Sequence, residues 1–219
     1  MGNPNGNKVE LIGVYGSDET HALSAWTSTS RDLTEDKRKR VPQLLNMLAE
    51  NEHHTVFEKS SLHFLITTDI ASHIHVLKHR IGVSVNAESA RYKELKDDKY
   101  YVPTDWDEEE RERYIEHCER CLFQYHQVLE SMIAKGMSRK RAKESARFYL
   151  PYGNQITADV MFNFRSFAHF IKLRYSMHAQ LEIRDIAQEM LRLVHETGKF
   201  DNTLRAFGFV TDEKIREPF

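Results

Sequence analysis

Two hydrophobic periods meet in this chain, and their order limits the folds it can form. In SSLHFLIT, residues 60–67, Leu62, Phe64 and Ile66 alternate, which gives an extended strand one apolar face. VELIGVYG, residues 9–16, reads as an earlier strand that ends in a turn. Further along the period changes. Tyr114, Cys118, Cys121, Leu122, Tyr125, Leu129 and Met132 recur at helical spacing. That spacing predicts a long helix from about Asp107 to Lys135, stopped by Gly136, and then a shorter one opened by Ser138 that ends before Pro151. Val41, Leu44, Leu45 and Leu48 mark an amphipathic helix with Pro42 in its first turn. DIASHIHVLKH, residues 69–79, reads as a helix with Ile70, Ile74 and Leu77 inward, and ARYKEL, residues 90–95, as a further strand. From Ala158 to about Glu196 the composition is helical, with a break near Ser176. Strands first and helices later indicate an α+β fold rather than alternating β/α units. The expected architecture is an antiparallel sheet flanked by helices, with the long helices in the C-terminal half. No repeat, low-complexity tract or linker divides the chain. A single domain is therefore expected over residues 9–219, after a flexible lead-in at residues 1–8.

Several function classes fall away on composition. The 219 residues carry a net charge of −2, which argues against a surface dominated by nucleic acid but leaves room for a local basic pocket. The clusters KRKR (Lys37–Arg40) and RKRAK (Arg139–Lys143) sit among acids and read as solvated helix faces. No apolar run approaches the roughly 18 residues of a membrane span. The opening MGNPNGNK lacks the apolar core of a signal peptide, and Gly6 stands where myristoylation wants Ser or Thr. Neither a nucleic-acid nor a membrane partner is expected, and the cytoplasm is the expected location. Cys118 and Cys121 form a single C-x-x-C without a second ligand pair, and the helical stripe puts both thiols in the core. His53/His54 and His73/His75 would point apart on a helix, and no H-E-x-x-H occurs, so no metal is expected.

The chemistry concentrates in KHRIGVSVNAESARY, residues 78–92. It packs three cations, a carboxylate, two serines and an asparagine into what reads as a loop following a helix. Such a stretch suits an anion pocket. The chain has neither G-x-x-x-x-G-K-[ST] nor G-x-G-x-x-G, so a bound nucleotide must take its phosphate contacts from arginine, whose planar fork matches phosphate oxygens. Arg80, Arg91, Arg147 in ESARFYLP, Arg165 in NFRSF and Arg174 in KLRYSMHAQ are the candidates. HHTVFEKSS, residues 53–61, likewise gathers His, Thr and Glu around the apolar Phe57. A Ser–His–Asp hydrolase built on Ser84 or Ser89 lacks the G-x-S-x-G elbow.

These segments together resemble the flavin-dependent thymidylate synthases. That family's signature is Arg-His-Arg, seven residues and Ser, within a pattern ending Ser-x-Arg-Tyr. Here it reads Lys78-His79-Arg80, eight residues, then Ser89-Ala90-Arg91-Tyr92. HHTVFEKSSLHFLI is similar to its His-x-Thr-x-Phe-Glu segment and following strand. ARFYLP is similar to its Ala-Arg-x-x-Leu-Pro segment, and NFRSFAHFIKLRYSMHAQLEIR to its Asn-x-Arg-Ser, Leu-Arg and His-Ala-Gln-x-Glu-Ile blocks. Four blocks in order span roughly residues 9–194. Three positions depart from the pattern. Lys78 replaces an arginine, the signature is one residue longer, and Ala87 follows the asparagine where the family has its acid, so that role falls to Glu88.

The resemblance implies an α+β homotetramer that binds FAD and makes dTMP from dUMP, with methylenetetrahydrofolate as carbon donor and NADPH as reductant. It implies an FAD set of Thr55, Lys78, His79, Arg80, Glu88, Asn163, Arg165 and His169. The implied dUMP set is His75, Lys78, Glu88, Ser89, Ala90, Arg91, Arg147 and Arg174, with His75 and Lys78 reaching in from a neighbouring subunit. Arg174 is the implied catalytic residue. A flavin held outside a Rossmann fold fits the missing glycine fingerprint, and hydride delivery from flavin removes the need for a cysteine nucleophile. Two alternatives stand beside this reading. One is a related flavin enzyme that methylates or hydroxymethylates another pyrimidine monophosphate, and the other is a non-catalytic nucleotide-binding protein.

Overall fold

A computed structural model of the chain describes residues 3, 4, 6–89, 91, 94, 98–211 and 214–219. In chain order the elements are β1 (Asn3–Pro4), β2 (Lys8–Tyr15), α1 (Asp18–Trp26), α2 (Glu35–Glu50), β3 (Ser61–Asp69), α3 (Ile70–Leu77), β4 (Val83–Ala87), β5 (Lys99–Tyr100), α4 (Glu108–Ala134), α5 (Arg139–Ala146), β6 (Gln155–Phe162), α6 (Phe164–Arg174), α7 (Leu181–Glu196), α8 (Asp201–Ala206), β7 (Val210–Thr211) and β8 (Lys214–Ile215). Short 3-10 turns occupy His54–Glu58 and Arg147–Tyr149.

Helix starts follow local chemistry. Ser17, Thr34, Asp69, Asp107, Ser138 and Asn163 each accept a backbone N–H three residues on, which satisfies one of the donors a helix start leaves open. The main sheet has strand order β2-β3-β6-β4. His63 lies against Asp159 and Thr67 against Thr157, so numbers rise on β3 as they fall on β6, and the pair is antiparallel. The fold is the expected α+β arrangement, with its long helices in the second half of the chain.

Two compact units are built from interleaved stretches. The first takes Met1–Lys8, Ile66–Lys78 and Asn86–Ala158, and the second Val9–Leu65, His79–Val85 and Asp159–Phe219. In the first, Tyr125 and Leu129 of α4 pack with Ala142 and Ala146 of α5, and Cys118 and Leu122 with Tyr100 and Val102. β1, within the expected flexible lead-in, pairs in parallel with β5. In the second, Phe57, Phe64, Phe162, Phe164, Phe167 and Phe170 are fully buried, many ring to ring, together with the inward stripe of α7. Burying rings of this size dominates the energetics of a core.

Several expectations are corrected. Helix α2 begins seven residues before Pro42, because Thr34 caps it and Glu35 and Asp36 suit its positive end. Pro42 therefore lies inside the helix, on its exposed side. In α3 the inward face is Ser72, His73 and Val76, whereas Ile74 and Leu77 are 39% and 44% exposed. Residues 83–87, expected as loop, form strand β4, which the sheet stabilises through ladder bonds that a weak local pattern does not announce. Residues 155–162, partly read as helix, form β6, a central strand of the sheet. Cys121 is only part-buried and faces His117, at 3.5 Å. The strand expected at 90–95 falls mostly outside the described residues. The strand at 9–16, the alternation of Leu62, Phe64 and Ile66, the long helix with its Gly136 stop at φ +89° and the break after Arg174 are as expected.

Candidate functional site

Four of the expected flavin residues gather in the second unit around the start of α6 and the turn that precedes β4. Asn163 caps α6 by accepting from the Ser166 N–H at 2.8 Å, and its own N–H donates to the Gly82 carbonyl at 3.0 Å. Ser166 Oγ donates to the Ile81 carbonyl at 2.6 Å. These bonds bind the 81–82 turn to the helix. Gly82 has φ +66°, and a Cβ there would lie 2.3 Å from Asn163 Nδ2 and 2.4 Å from Ser166 Oγ, so only glycine fits. Ile81, beside it, is 88% exposed. His79 and Arg80 are thereby delivered to the helix from a turn of fixed geometry. His79 is 8% exposed, with its ring edge-on to Phe170 at 4.9 Å and to His169 at 5.7 Å. Arg174, the last residue of α6, donates from Nε to His79 Nε2 at 3.1 Å.

Arg165 sits one residue into α6 and pairs with Glu58 of the 3-10 turn at 2.5 Å. Thr55 lies exposed in that same turn. His54 beside it is held below the ordinary imidazole range by burial and by the charges of Arg165 and Lys172. Burial lowers Arg174 from the ordinary guanidinium range, which still leaves it charged. One cavity of this unit, about 420 Å³, is lined by Tyr15, Ser24, Arg31, Glu58 and Lys59 among others and contains none of the expected site residues.

In the first unit, Glu88, Ser89 and Arg147 line one cavity of about 330 Å³ with Ile70, Phe148, Leu150, Asn154 and Ile156. Glu88 is fixed there by β6. Its N–H donates to the Thr157 carbonyl at 2.9 Å, and its Oε2 accepts from the Thr157 N–H at 3.0 Å. Arg91 is exposed and pairs through Nε with Glu144 at 2.7 Å, which holds that carboxyl below the usual carboxylate range. Its N–H donates to Ser89 Oγ at 3.3 Å. Ala90 lies outside the described residues. His75, part-buried, and Lys78, exposed, stand at the end of α3 away from that cavity's lining. The buried face of α3 carries His73 instead, lowered from the imidazole range by desolvation.

The arginines thus divide. Arg91 and Arg165 are each held by a carboxylate. Arg80, Arg147 and Arg174 have no carboxylate partner among the described residues, and Arg147 lines a cavity whose remaining walls are largely apolar. An uncommitted guanidinium beside apolar walls suits a ligand with an anionic end and a flat ring. Sequence reasoning noted Glu58 within HHTVFEKSS but gave it no partner, and it did not foresee Ile70, Asn154 and Ile156 as cavity lining, because nothing in the local sequence marks them. Among the described residues no cluster of three or more His, Cys, Asp or Glu could hold a metal ion, and no helix is long and apolar enough to cross a membrane.

Comparison with known proteins matches residues 10–197 to Thy1, the thymidylate synthase complementing proteins. The flavin-dependent thymidylate synthase of Streptomyces avermitilis is 29% identical over 212 residues, covering 86% of this chain and 82% of the relative. That of Clostridium tetani is 32% identical over 173 residues, covering 74% and 68%. Among solved structures, the UMP/dUMP methylase PolB from Streptomyces cacaoi bound with 5-Br dUMP superimposes with a TM-score of 0.78 at 24% identity, over 94% of this chain and 97% of that one. That likeness is one of fold.

Proposed function

This chain belongs to the thymidylate synthase complementing family, and we propose that it is a flavin-dependent thymidylate synthase that methylates dUMP to dTMP. The observation that carries the reading is the cavity that gathers Glu88, Ser89 and Arg147 from separate segments. Arg147 offers an uncommitted fork to a phosphate, and Ile70 and Ile156 offer apolar wall to a pyrimidine.

The residues of the second unit fit a flavin dinucleotide. Burial first, and then the charges of Arg165 and Lys172, hold His54 low, so two cations stand near this patch, where a diphosphate could meet them. Thr55, His79, Arg80, Asn163, Arg165 and His169, with Lys78 and Glu88, would hold FAD. When bound and reduced by NADPH, the flavin would supply hydride, and methylenetetrahydrofolate would supply the carbon. Ser89, Arg91 and Arg147 would hold the nucleotide, with Ala90 beside them and His75 and Lys78 contributed by a neighbouring subunit of a homotetramer. Arg174 would stabilise negative charge as the ring loses its N3 proton. A cysteine nucleophile is not required. The buried Cys118 thiol is pushed up to about 11, which leaves almost no thiolate at neutral pH. A single catalytic domain over residues 9–219 and a cytoplasmic location belong to the same proposal. Most of the unit boundaries fall inside strands rather than in linkers, which supports the first of these.

The test is direct. Purified protein supplied with dUMP, methylenetetrahydrofolate and NADPH should yield a product with the mass of dTMP, and denaturation should release FAD. A hydroxymethyl product, or turnover of a different pyrimidine monophosphate alone, would replace the reaction but keep the family. A protein that takes up no flavin and forms no product would overturn the reading.

A further inference from the structure

We propose that His79 is the positioning residue of Arg174, and that it serves this role because it orients the guanidinium without neutralising it. The proposal rests on the thymidylate synthase reading only for its kinetic test.

Arg174 ends helix α6, and among the described residues its one hydrogen bond runs from Nε to His79 Nε2, at 3.1 Å. A guanidinium carries five N–H donors in one plane. Anchoring Nε fixes that plane and leaves both Nη nitrogens for a ligand. Arginine only donates, so Nε2 of His79 must be unprotonated, and the ring proton of the neutral imidazole sits on Nδ1. The ring is held by the same helix that carries Arg174. Phe170, one turn earlier, meets it edge-on at 4.9 Å and 68°, and His169 at 5.7 Å and 61°. With His79 only 8% exposed, the acceptor sits at a fixed place relative to the helix end.

The choice of partner is informative. Arg165 is paired with Glu58 and Arg91 with Glu144, whereas the partner of Arg174 is an imidazole ring. A carboxylate on Arg174 would cancel most of its field. A neutral imidazole supplies the same geometric restraint and leaves the full positive charge for the ligand. The signature histidine, assigned to flavin by resemblance alone, therefore has a role in this chain directed at the substrate arginine.

The experiment compares His79→Phe, which keeps a ring but removes the acceptor, with His79→Gln, which restores an acceptor oxygen. Each is made alone and in an Arg174→Lys background, on flavin-loaded protein. His79→Phe should lower kcat for dTMP formation on the order of tenfold to a hundredfold, the scale of a catalytic group misplaced by about an ångström. KM for dUMP should move less, and kcat is taken per bound flavin because His79 also stands in the FAD set. His79→Gln should recover most of the loss. Lysine has no Nε–H to anchor, so His79→Phe should cost little more in the Arg174→Lys background. A loss that is undiminished in that background, or that tracks flavin content and is not rescued by glutamine, overturns the proposal. So does normal kcat in His79→Phe. A readout independent of turnover separates this from the broader reading. In 15N NMR of ligand-free protein, the Arg174 Nε–H should be protected from exchange in the parent and in His79→Gln, and unprotected in His79→Phe. No protection in the parent overturns the proposal even if the enzyme makes dTMP. Protection as expected sustains it even if the substrate is another nucleotide.

Discussion

At the scale of single residues, the chemistry of this chain turns on which charges are committed. Arg174 is part-buried, held by a neutral ring and free of any carboxylate among the described residues, so its field acts strongly on a ligand. A contact that strengthens as negative charge develops lowers the barrier more than it aids ground-state binding. Arg174→Ala should therefore lose on the order of a hundredfold or more in turnover at saturating dUMP. Arg174→Lys should recover little, because a point charge cannot reproduce the fork. Flavin content should survive both changes, and near-normal turnover in Arg174→Ala with a full flavin complement would assign the role to another arginine. Candidate site residues could be picked out in sequence because arginine, histidine and asparagine stand out in apolar surroundings such as NFRSFAHFIKLR. Their pairing could not. That Glu58 takes Arg165 and Glu144 takes Arg91 depends on chain segments 107 and 53 residues apart meeting in space.

At the scale of elements, the start of α6 and the 81–82 turn act as one part. Asn163 caps the helix and also covers Gly82, so the residue placed in the flavin set is a structural joint as well. Asn163→Ala should lower stability by about 1 kcal/mol, the usual cost of a lost cap, read as a shift in the urea midpoint. Gly82→Ala should cost more, because a side chain at φ +66° is strained and its Cβ would meet Asn163 and Ser166. That variant should also weaken flavin uptake, since it displaces the turn carrying His79 and Arg80. Unchanged stability and flavin affinity in Gly82→Ala would show the joint to be slack. The caps at Ser138 and Asp107 are short-range features and could be read from sequence. Strands β4 and β6 could not, because their stabilisation comes from neighbours in the sheet rather than from local propensity.

At the scale of the whole molecule, acid should act through buried histidine. His21 is fully buried between Thr203 Oγ1 at 3.0 Å and Ser60 Oγ at 2.8 Å, and burial lowers its pKa from 6.5 to about 3. Between those values the unfolded chain holds a proton that the folded one refuses, so stability falls as pH drops below about 6.5. The slope from this one group is at most about 1.4 kcal/mol per pH unit. His54 and His73 are shifted in the same direction and add to it. Asp18, raised by burial, takes its proton in the folded state first and so opposes the trend at the acid end. Melting temperatures at pH 7, 6, 5 and 4 should decline across the series, and a flat profile would mean that His21 is not held neutral. Light scattering should give a homotetramer, and a monomer that turned over dUMP would exclude sites shared between subunits. The sequence by itself determined the class of fold and the family, and it named candidate residues for the site, because periodicity, caps and the ordered signature blocks are properties of neighbouring residues. Only the tertiary structure decided which face of α3 is buried, that residues 83–87 and 155–162 are strands, and which arginines are neutralised and which stand open. The physical reason is the same in each case. Burial, ladder bonding and ion pairing are set by groups distant in the chain, and no local pattern encodes which of them will meet.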